Sequence, residues 1–263
     1  MIHKSLGWQR DLPDHRDLLY SAPLAKLTAL PPKMDLRSGC PPVYDQGALG
    51  SCTANAIAGA VQFDRRKAKQ KPDFIPSRLF IYYNERVIEH STRYDAGAQL
   101  RDGIKSVAKQ GVCAETQWPY DDTPPPSEDA PFPKNAAGGK RPPAACYKEA
   151  ARYAAISYQR VTQTLAQMKG CLAEGYPFVF GFTVYEKWYE KPTAVLPLPG
   201  AHESVVGGHA VLAVGYDDKK QLFTFRNSWG AKVGDKGYFY MPYAYLAEAN
   251  LASDLWTVRQ MEG

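Results

Sequence analysis

The run Gln46-Gly47-Ala48-Leu49-Gly50-Ser51-Cys52, continuing into Thr53-Ala54-Asn55-Ala56-Ile57-Ala58, decides what this chain builds. Two glycines and a serine force a tight turn, and Cys52 then opens a helix. Apolar residues Ala54, Ile57, Ala58 and Val61 share one face, so a helix is expected over Cys52 to Lys69, with Ser51 placed to cap it. Free N–H groups and partial positive charge at a helix N-terminus favour thiolate over thiol, which is where a reactive cysteine belongs. Taken alone, the motif is equally compatible with a buried thiol at the start of a core helix.

Working outward, the chain has 263 residues, enough for one large domain or two modest ones sharing a cleft. With 44% hydrophobic, 22% charged and 12% aromatic residues it is ordinary globular material. A net charge of +5 is too small to argue for nucleic acid without a concentrated patch. The one basic cluster, Arg65, Arg66, Lys67, Lys69 and Lys71, falls at the end of the expected helix and reads as a solvated helix terminus. No run reaches about 18 apolar residues, so no membrane span is expected. The N-terminus lacks the apolar core of a signal peptide, which points to the cytoplasm or to leaderless export. The five cysteines (40, 52, 113, 146 and 171) are scattered with no metal-ligand spacing, so reduced thiols and no metal or cofactor are expected; any pairing among Cys40, Cys113, Cys146 and Cys171 stays open.

Residues 1–33 are polar and rich in Pro and Asp, an extended arm with no core of its own, ending at Leu30-Pro31-Pro32. Residues 34–146 are mainly helical, with further helices expected over Ser77 to His90 and Gln99 to Gln110, the latter stopped by Gly111. The proline-rich stretch 121–146 marks a boundary or insertion. Residues 147–263 turn to strand texture after one helix (Thr162 to Glu174): Phe178 to Tyr185, His209 to Tyr216, Leu222 to Asn227, Tyr238 to Pro242 and Leu255 to Val258. A helical half followed by an antiparallel half implies an α+β chain in two lobes.

Two further motifs carry chemistry. Gly207-Gly208-His209 starts an apolar strand behind two glycines, which could leave one face of the imidazole open, and Asn227-Ser228-Trp229-Gly230 ends another strand. Each is unremarkable by itself. Together with Cys52 they resemble the papain family of cysteine peptidases. The stretch around Cys52 is similar to the family's Gln-Gly-x-Cys-Gly-Ser-Cys-Trp motif, His209-Ala-Val-Leu-Ala-Val-Gly-Tyr to its His strand, and Asn227-Ser-Trp-Gly with Gly237-Tyr238-Phe239 to its Asn segment. Asp35-Leu36-Arg37 and Trp118-Pro119-Tyr120 also resemble family runs, so the likeness covers about residues 34–263. His209 lies 157 residues after Cys52, slightly beyond the usual roughly 130–150, and the proline-rich stretch is a source for the surplus.

The resemblance implies a papain-like two-lobed fold, with a helical lobe, an antiparallel β-barrel-like lobe and a cleft between them. It implies a cysteine peptidase in which Cys52 is nucleophile, His209 its base, Asn227 the residue orienting His209, and Gln46 an oxyanion donor. Trp229 would shield the His–Asn bond and line the primed side. Leu100, Gly181 and Ala210, with Gly208 beside the His, would form the main specificity pocket, predicting a hydrophobic residue two positions before the cut. Gly97-Ala98 stands where the family has paired glycines beside the substrate, Leu49 where it has a disulfide cysteine, and Thr53 and Asn55 where it has aromatic residues. The arm is similar to the short arms of bacterial leaderless members and is expected to act as an inhibitory strap on a monomeric zymogen; the enzyme is expected to cleave within chains, since nothing recognisable blocks one end of the cleft. A Cys-His amidase or acyltransferase, and a catalytically silent papain-like binding protein, are the alternatives.

Overall fold

The computed structural model describes residues 5–154 and 156–260. Residues 1–4 of the expected arm, including His3, lie outside the described residues, as do Ala155 and residues 261–263. In chain order the elements are β1 (Trp8–Gln9), β2 (Leu19–Tyr20), α1 (Leu24–Leu27), β3 (Lys33–Asp35), α2 (Cys52–Lys67), α3 (Arg78–Ile88), β4 (Ala98–Gln99), α4 (Leu100–Gln110), α5 (Ala144–Ala150), β5 (Ile156–Val161), α6 (Leu165–Ala173), β6 (Phe178–Tyr185), α7 (Glu186–Glu190), β7 (Val205–Asp217), β8 (Leu222–Arg226), β9 (Tyr238–Pro242), α8 (Tyr243–Ala247) and β10 (Ala252–Gln260). The chain is α+β, helices first and sheet second.

α2 is the axis of the molecule. Residues Cys52 through Arg65 are all buried, and a helix buried all round must pass through the interior rather than lie on it. Its small residues allow close approach to the sheet: a methyl group at Gly59 would come within 2.9 Å of Arg226 Nη1 and 3.6 Å of Leu212 Cδ2. Ser51 does not cap α2; its hydroxyl is taken by Tyr120 Oη at 2.7 Å. Ser77 does cap α3, accepting from Phe80 N, and Thr164 caps α6 in the same way. Gly111 ends α4 at φ +73°, a left-handed conformation that favours glycine.

The sheet runs β2-β5-β10-β6-β7-β8-β9, with β3 added on β7. All these pairings are antiparallel except β2 with β5. One face packs on α2, α3 and α4; the other carries Phe178, Phe180, Phe182, Phe223, Phe225 and Phe239 in a second, aromatic core. β5 was not anticipated from the sequence. Its Ser157-Tyr158-Gln159-Arg160 interior is polar and partly open, and it is held by register with β10 rather than by apolar alternation.

The basic cluster is not uniformly solvated. Arg65 is buried, its guanidinium lying 4.4 Å from the Phe74 ring and 4.6 Å from the Tyr153 ring, with Gln70 and the Pro72 carbonyl accepting from it. Two aromatic faces and two oxygens supply what water would otherwise supply. The proline-rich stretch is likewise tied down: Arg86 donates to the Gly138 carbonyl at 2.5 Å, and Asp121 accepts from Ala137 N. All five cysteines are free and buried.

The arm departs furthest from a loose extension. It contains α1 and two short strands, and it buries Trp8, Asp11, Tyr20 and Ala22 against the body. β1 pairs in parallel with β4, Trp8 opposite Ala98, while β2 pairs with β5.

Candidate active site

Cys52 is the first residue of α2 and is fully buried. Burial pushes its thiol up to about 12; the backbone N–H groups of Ala210, Gly7 and Thr53, which would hydrogen-bond to a thiolate, oppose that rise. The Ala210 contact matters because Ala210 follows His209 on β7, so the helix start and the strand meet at the sulfur.

His209 Nε2 lies 2.7 Å from Asn227 Oδ1. That oxygen also accepts the N–H of Ser228 at 2.7 Å, which fixes which end of the amide faces the ring. An amide oxygen can only accept, so Nε2 carries the proton and Nδ1 keeps its lone pair. Nδ1 is buried with no hydrogen-bond partner among the described residues. Trp229 stacks on the imidazole, centroids 4.8 Å apart, and Phe182 meets its other side edge-on at 5.7 Å. Enclosure by these rings holds the imidazole pKa down to about 4, against which the Asn227 bond pulls slightly upward. Thiol and imidazole are therefore both neutral in this structure.

Gln46 is oriented by both its backbone and its side chain. Its N–H donates to the Ser228 carbonyl, its Oε1 accepts from Ser228 Oγ at 2.6 Å, and its Nε2 donates to the Leu49 and Ser5 carbonyls, each at 2.9 Å. Ser228, not singled out from the sequence, thus links Gln46 to the Asn227 segment. Thr53 Oγ1 donates to Glu85 Oε1 at 2.7 Å behind the nucleophile helix. Burial pushes the Glu85 carboxyl well above the usual carboxylate range.

The expected pocket residues gather around one side chain from the arm. A Cβ built on Gly181 would fall 1.9 Å from the Trp8 ring, and one on Gly208 would fall 2.6 Å from it. Leu100 and Ala210 belong to the same buried cluster as Trp8. Trp8 Nε1 donates to Asp254 Oδ2 at 3.2 Å. Neither Trp8 nor Asp254 could be picked out beforehand, because a lone Trp in a polar arm and a lone Asp in a strand carry no local signal. On the facing side, Ala98 N donates to the Gly7 carbonyl at 2.8 Å, and a Cβ on Gly97 would strike that same carbonyl at 2.1 Å. Leu6 lies over Gly207.

A turn and helix start bearing a thiol, met by a strand bearing a His whose ring is hydrogen-bonded to an Asn just past the next strand, is the arrangement of a thiol hydrolase. The chain belongs to the papain family of cysteine proteases: the profile described as papain family cysteine protease matches residues 30–257. It is a cysteine peptidase, and peptides or proteins are its substrates. It is similar to xylellain, a cysteine protease from Xylella fastidiosa, at 50% identity and a TM-score of 0.95, covering 99% of this chain and 97% of that one. It is 40% identical to an uncharacterized peptidase C1-like protein of Acanthamoeba polyphaga mimivirus, over 99% of this chain and 88% of the relative. Procathepsin B S9 from Trypanosoma congolense shares the fold (TM-score 0.75, 17% identity, covering 99% and 88% of the two chains). No helix among the described residues is long and apolar enough to cross a membrane.

Proposed function

We propose that this peptidase cleaves peptide bonds with Cys52 as nucleophile, His209 as acid–base, Asn227 as orienting residue and Gln46 as oxyanion donor, and that its own arm holds it latent. The observation that carries the chemistry is the His209–Asn227 bond, which leaves the Nδ1 lone pair free on the segment whose next N–H reaches the Cys52 sulfur. With the cleft open, the proton passes from Cys52 to His209, and the thiolate adds to the substrate carbonyl carbon. The oxyanion is held by the Gln46 amide and the Cys52 N–H. His209 then protonates the departing amine as the C–N bond breaks, giving a thioester. It next takes a proton from water, whose oxygen displaces the thiol. Residues 34–146 would form one lobe and 147–263 the other, with endopeptidase action and a hydrophobic side chain favoured in the pocket of Leu100, Gly181, Gly208 and Ala210.

Latency is supported by what occupies the cleft. The Ser5 carbonyl takes the Gln46 donor, the Gly7 N–H faces the sulfur, and the Trp8 indole fills the pocket. A backbone N–H of the arm thus stands at the sulfur, where a substrate would have to present its carbonyl carbon.

A fluorogenic dipeptide amide assayed with the full chain tests both parts. Cys52→Ala should lower turnover by at least about 10⁴-fold, as expected for loss of a nucleophile; surviving activity would overturn the assignment. Trp8→Ala should raise turnover, and an unchanged rate with folded protein would remove the latency reading. Product formed only by transfer to added amines would favour an acyltransferase, and a library preference for acidic residues at the pocket position would remove the hydrophobic-pocket reading.

A further inference from the structure

The Trp8 indole is received in the cleft at its faces and at its polar edge. Trp8 lies opposite Ala98 in the β1–β4 register, and its ring rests on Gly181 of β6 and Gly208 of β7. A Cβ on Gly181 would overlap the ring at Nε1 and Cε2, and one on Gly208 would overlap it at Cε3, so the slot admits an indole only because both positions lack side chains. Leu100 and Ala210 share the same buried cluster, so Trp8 sits among the residues expected to take the side chain two positions before the cut. At the polar edge, Trp8 Nε1 donates to Asp254 Oδ2 at 3.2 Å, and both residues are buried.

An irregular backbone brings Asp254 to this place. The pairing of β10 with β6 shifts register between Ser253, opposite Gly181, and Trp256, opposite Val179. Asp254 falls within that shift at φ +58°, a left-handed conformation that Asp tolerates better than most residues. A bulge of this kind re-aims a side chain, here onto the edge of the Trp8 ring. The two carboxylate oxygens are used differently. Oδ1 accepts from Arg160 on β5 at 3.0 Å, a contact within the body. Oδ2 accepts from the Asp11 N–H at 2.8 Å and from Trp8 Nε1, and both of those donors belong to the arm. When the arm lifts, Oδ2 loses both and turns to water in the emptied slot. A side chain that displaces this water must bring a donor of its own, or leave a buried acceptor unpaired.

We propose that Asp254 is a specificity-determining residue of this peptidase, and that it selects for the slot a substrate side chain with an aromatic ring and an N–H at its edge, which is tryptophan. This rests on the reading that Cys52 and His209 cleave peptides and that the arm covers their cleft. A phenyl ring fits the slot but leaves Oδ2 without a donor. A site that binds a donor through a buried acceptor rejects an analogue lacking that donor more strongly than an apolar pocket rejects by size. A cationic tip fits less well than a neutral N–H. Arg160 already stands on the same carboxylate, and Asp17, which shares Arg160 in the closed state, departs with the arm. Trp8 is then a copy of the side chain that the enzyme prefers to cut behind.

The test uses the full chain carrying Trp8→Ala, which empties the slot, and fluorogenic dipeptide amides that differ only in the residue entering it. That residue is tryptophan, benzothienylalanine (the same bicyclic shape with sulfur in place of the indole N–H), phenylalanine or arginine. The kcat/KM for tryptophan should exceed that for benzothienylalanine by at least about tenfold, and should also exceed that for arginine. Adding Asp254→Gly, which removes the carboxylate and suits the φ of +58°, should bring the tryptophan-to-benzothienylalanine ratio under about threefold. A ratio near one in Trp8→Ala overturns the proposal, as does a full ratio surviving Asp254→Gly or faster cleavage behind arginine than behind tryptophan. Should Asp254→Gly fail to fold, the ratio in Trp8→Ala decides alone, because it needs no change at Asp254. Failure of the underlying readings looks different. Cleavage of none of the peptides removes the Cys52 assignment and this proposal with it. Turnover equal to the parent's for every peptide removes the latency reading, while the ratio still decides the role of Asp254.

Discussion

The two ends of the arm hold the body by different means. From Ser5 to Gln9 the contact is made by backbone and one indole: a carbonyl on Gln46, a carbonyl on Ala98, and Trp8 between two glycines. From Asp11 to Asp17 it is made by carboxylates: Asp17 on the buried Arg101 and the half-buried Arg160, and Asp11 on the Trp256 indole and the Arg101 backbone N–H. The first end has nothing that titrates and depends on shape. The second depends on ion pairs, so salt can change its strength without changing its shape. If the arm is the strap proposed above, its hold at Cys52 is set by shape and its hold further along by charge.

Breaking the shape-dependent end should have the largest effect. A Cβ on Gly7 would lie 1.7 Å from the Gly50 carbonyl oxygen, a backbone overlap no rotamer relieves. Gly7→Val should therefore expel the front of the arm and raise turnover of a small amide to its ceiling at every pH; turnover matching the parent would break the comparison. Asp17→Asn comes next. Removing the shared partner of the buried Arg101 and the partly exposed Arg160 typically costs about 3–5 kcal/mol, so the arm should open and become sensitive to added protease while the body stays folded. Glu85→Gln sharpens the contrast from inside the body, where the carboxyl accepts from Thr53 on α2. Because Glu85 is held above its ordinary value of 4.5, its contribution is full below that pH and is lost as pH rises. The glutamine variant should melt higher than the parent at neutral pH, with the gap closing near pH 4, and arm exchange should not follow it. The smallest effect is expected at Arg16→Ala, where an exposed pair with Asp14 is lost; melting and turnover should not change measurably.

How much of this the sequence disclosed depends on the distance over which each signal acts. The Cys52 turn, the Ser77 cap and the Gly111 stop are set by neighbours within a few residues, and the strands Phe178–Tyr185 and Tyr238–Pro242 announce themselves by composition. His209 and Asn227 became legible as a pair only through their likeness to family motifs, and the structure brings their side chains to 2.7 Å. What stayed hidden is non-local. Arg65 looks like a solvated cation until Phe74 and Tyr153 close over it. β5 is a strand because β10 makes it one. Asp11 sits 243 residues from Asp254 along the chain, and no local pattern could join them. The packing of Trp8 on Gly181 and Gly208 likewise belongs to the folded chain alone.

The burial of Cys52 has a consequence for the lifetime of the molecule. A catalytic sulfur exposed from synthesis onward is steadily spent on peroxide, disulfide exchange and stray electrophiles, all of which act on an accessible thiolate. Here the Cys52 sulfur is enclosed with its thiol pushed up, and on the proposed reading it stays out of reach of solvent until the arm lifts. Ageing of the enzyme should begin at opening rather than at birth, so a stock of closed chains can wait without losing its capacity to cut.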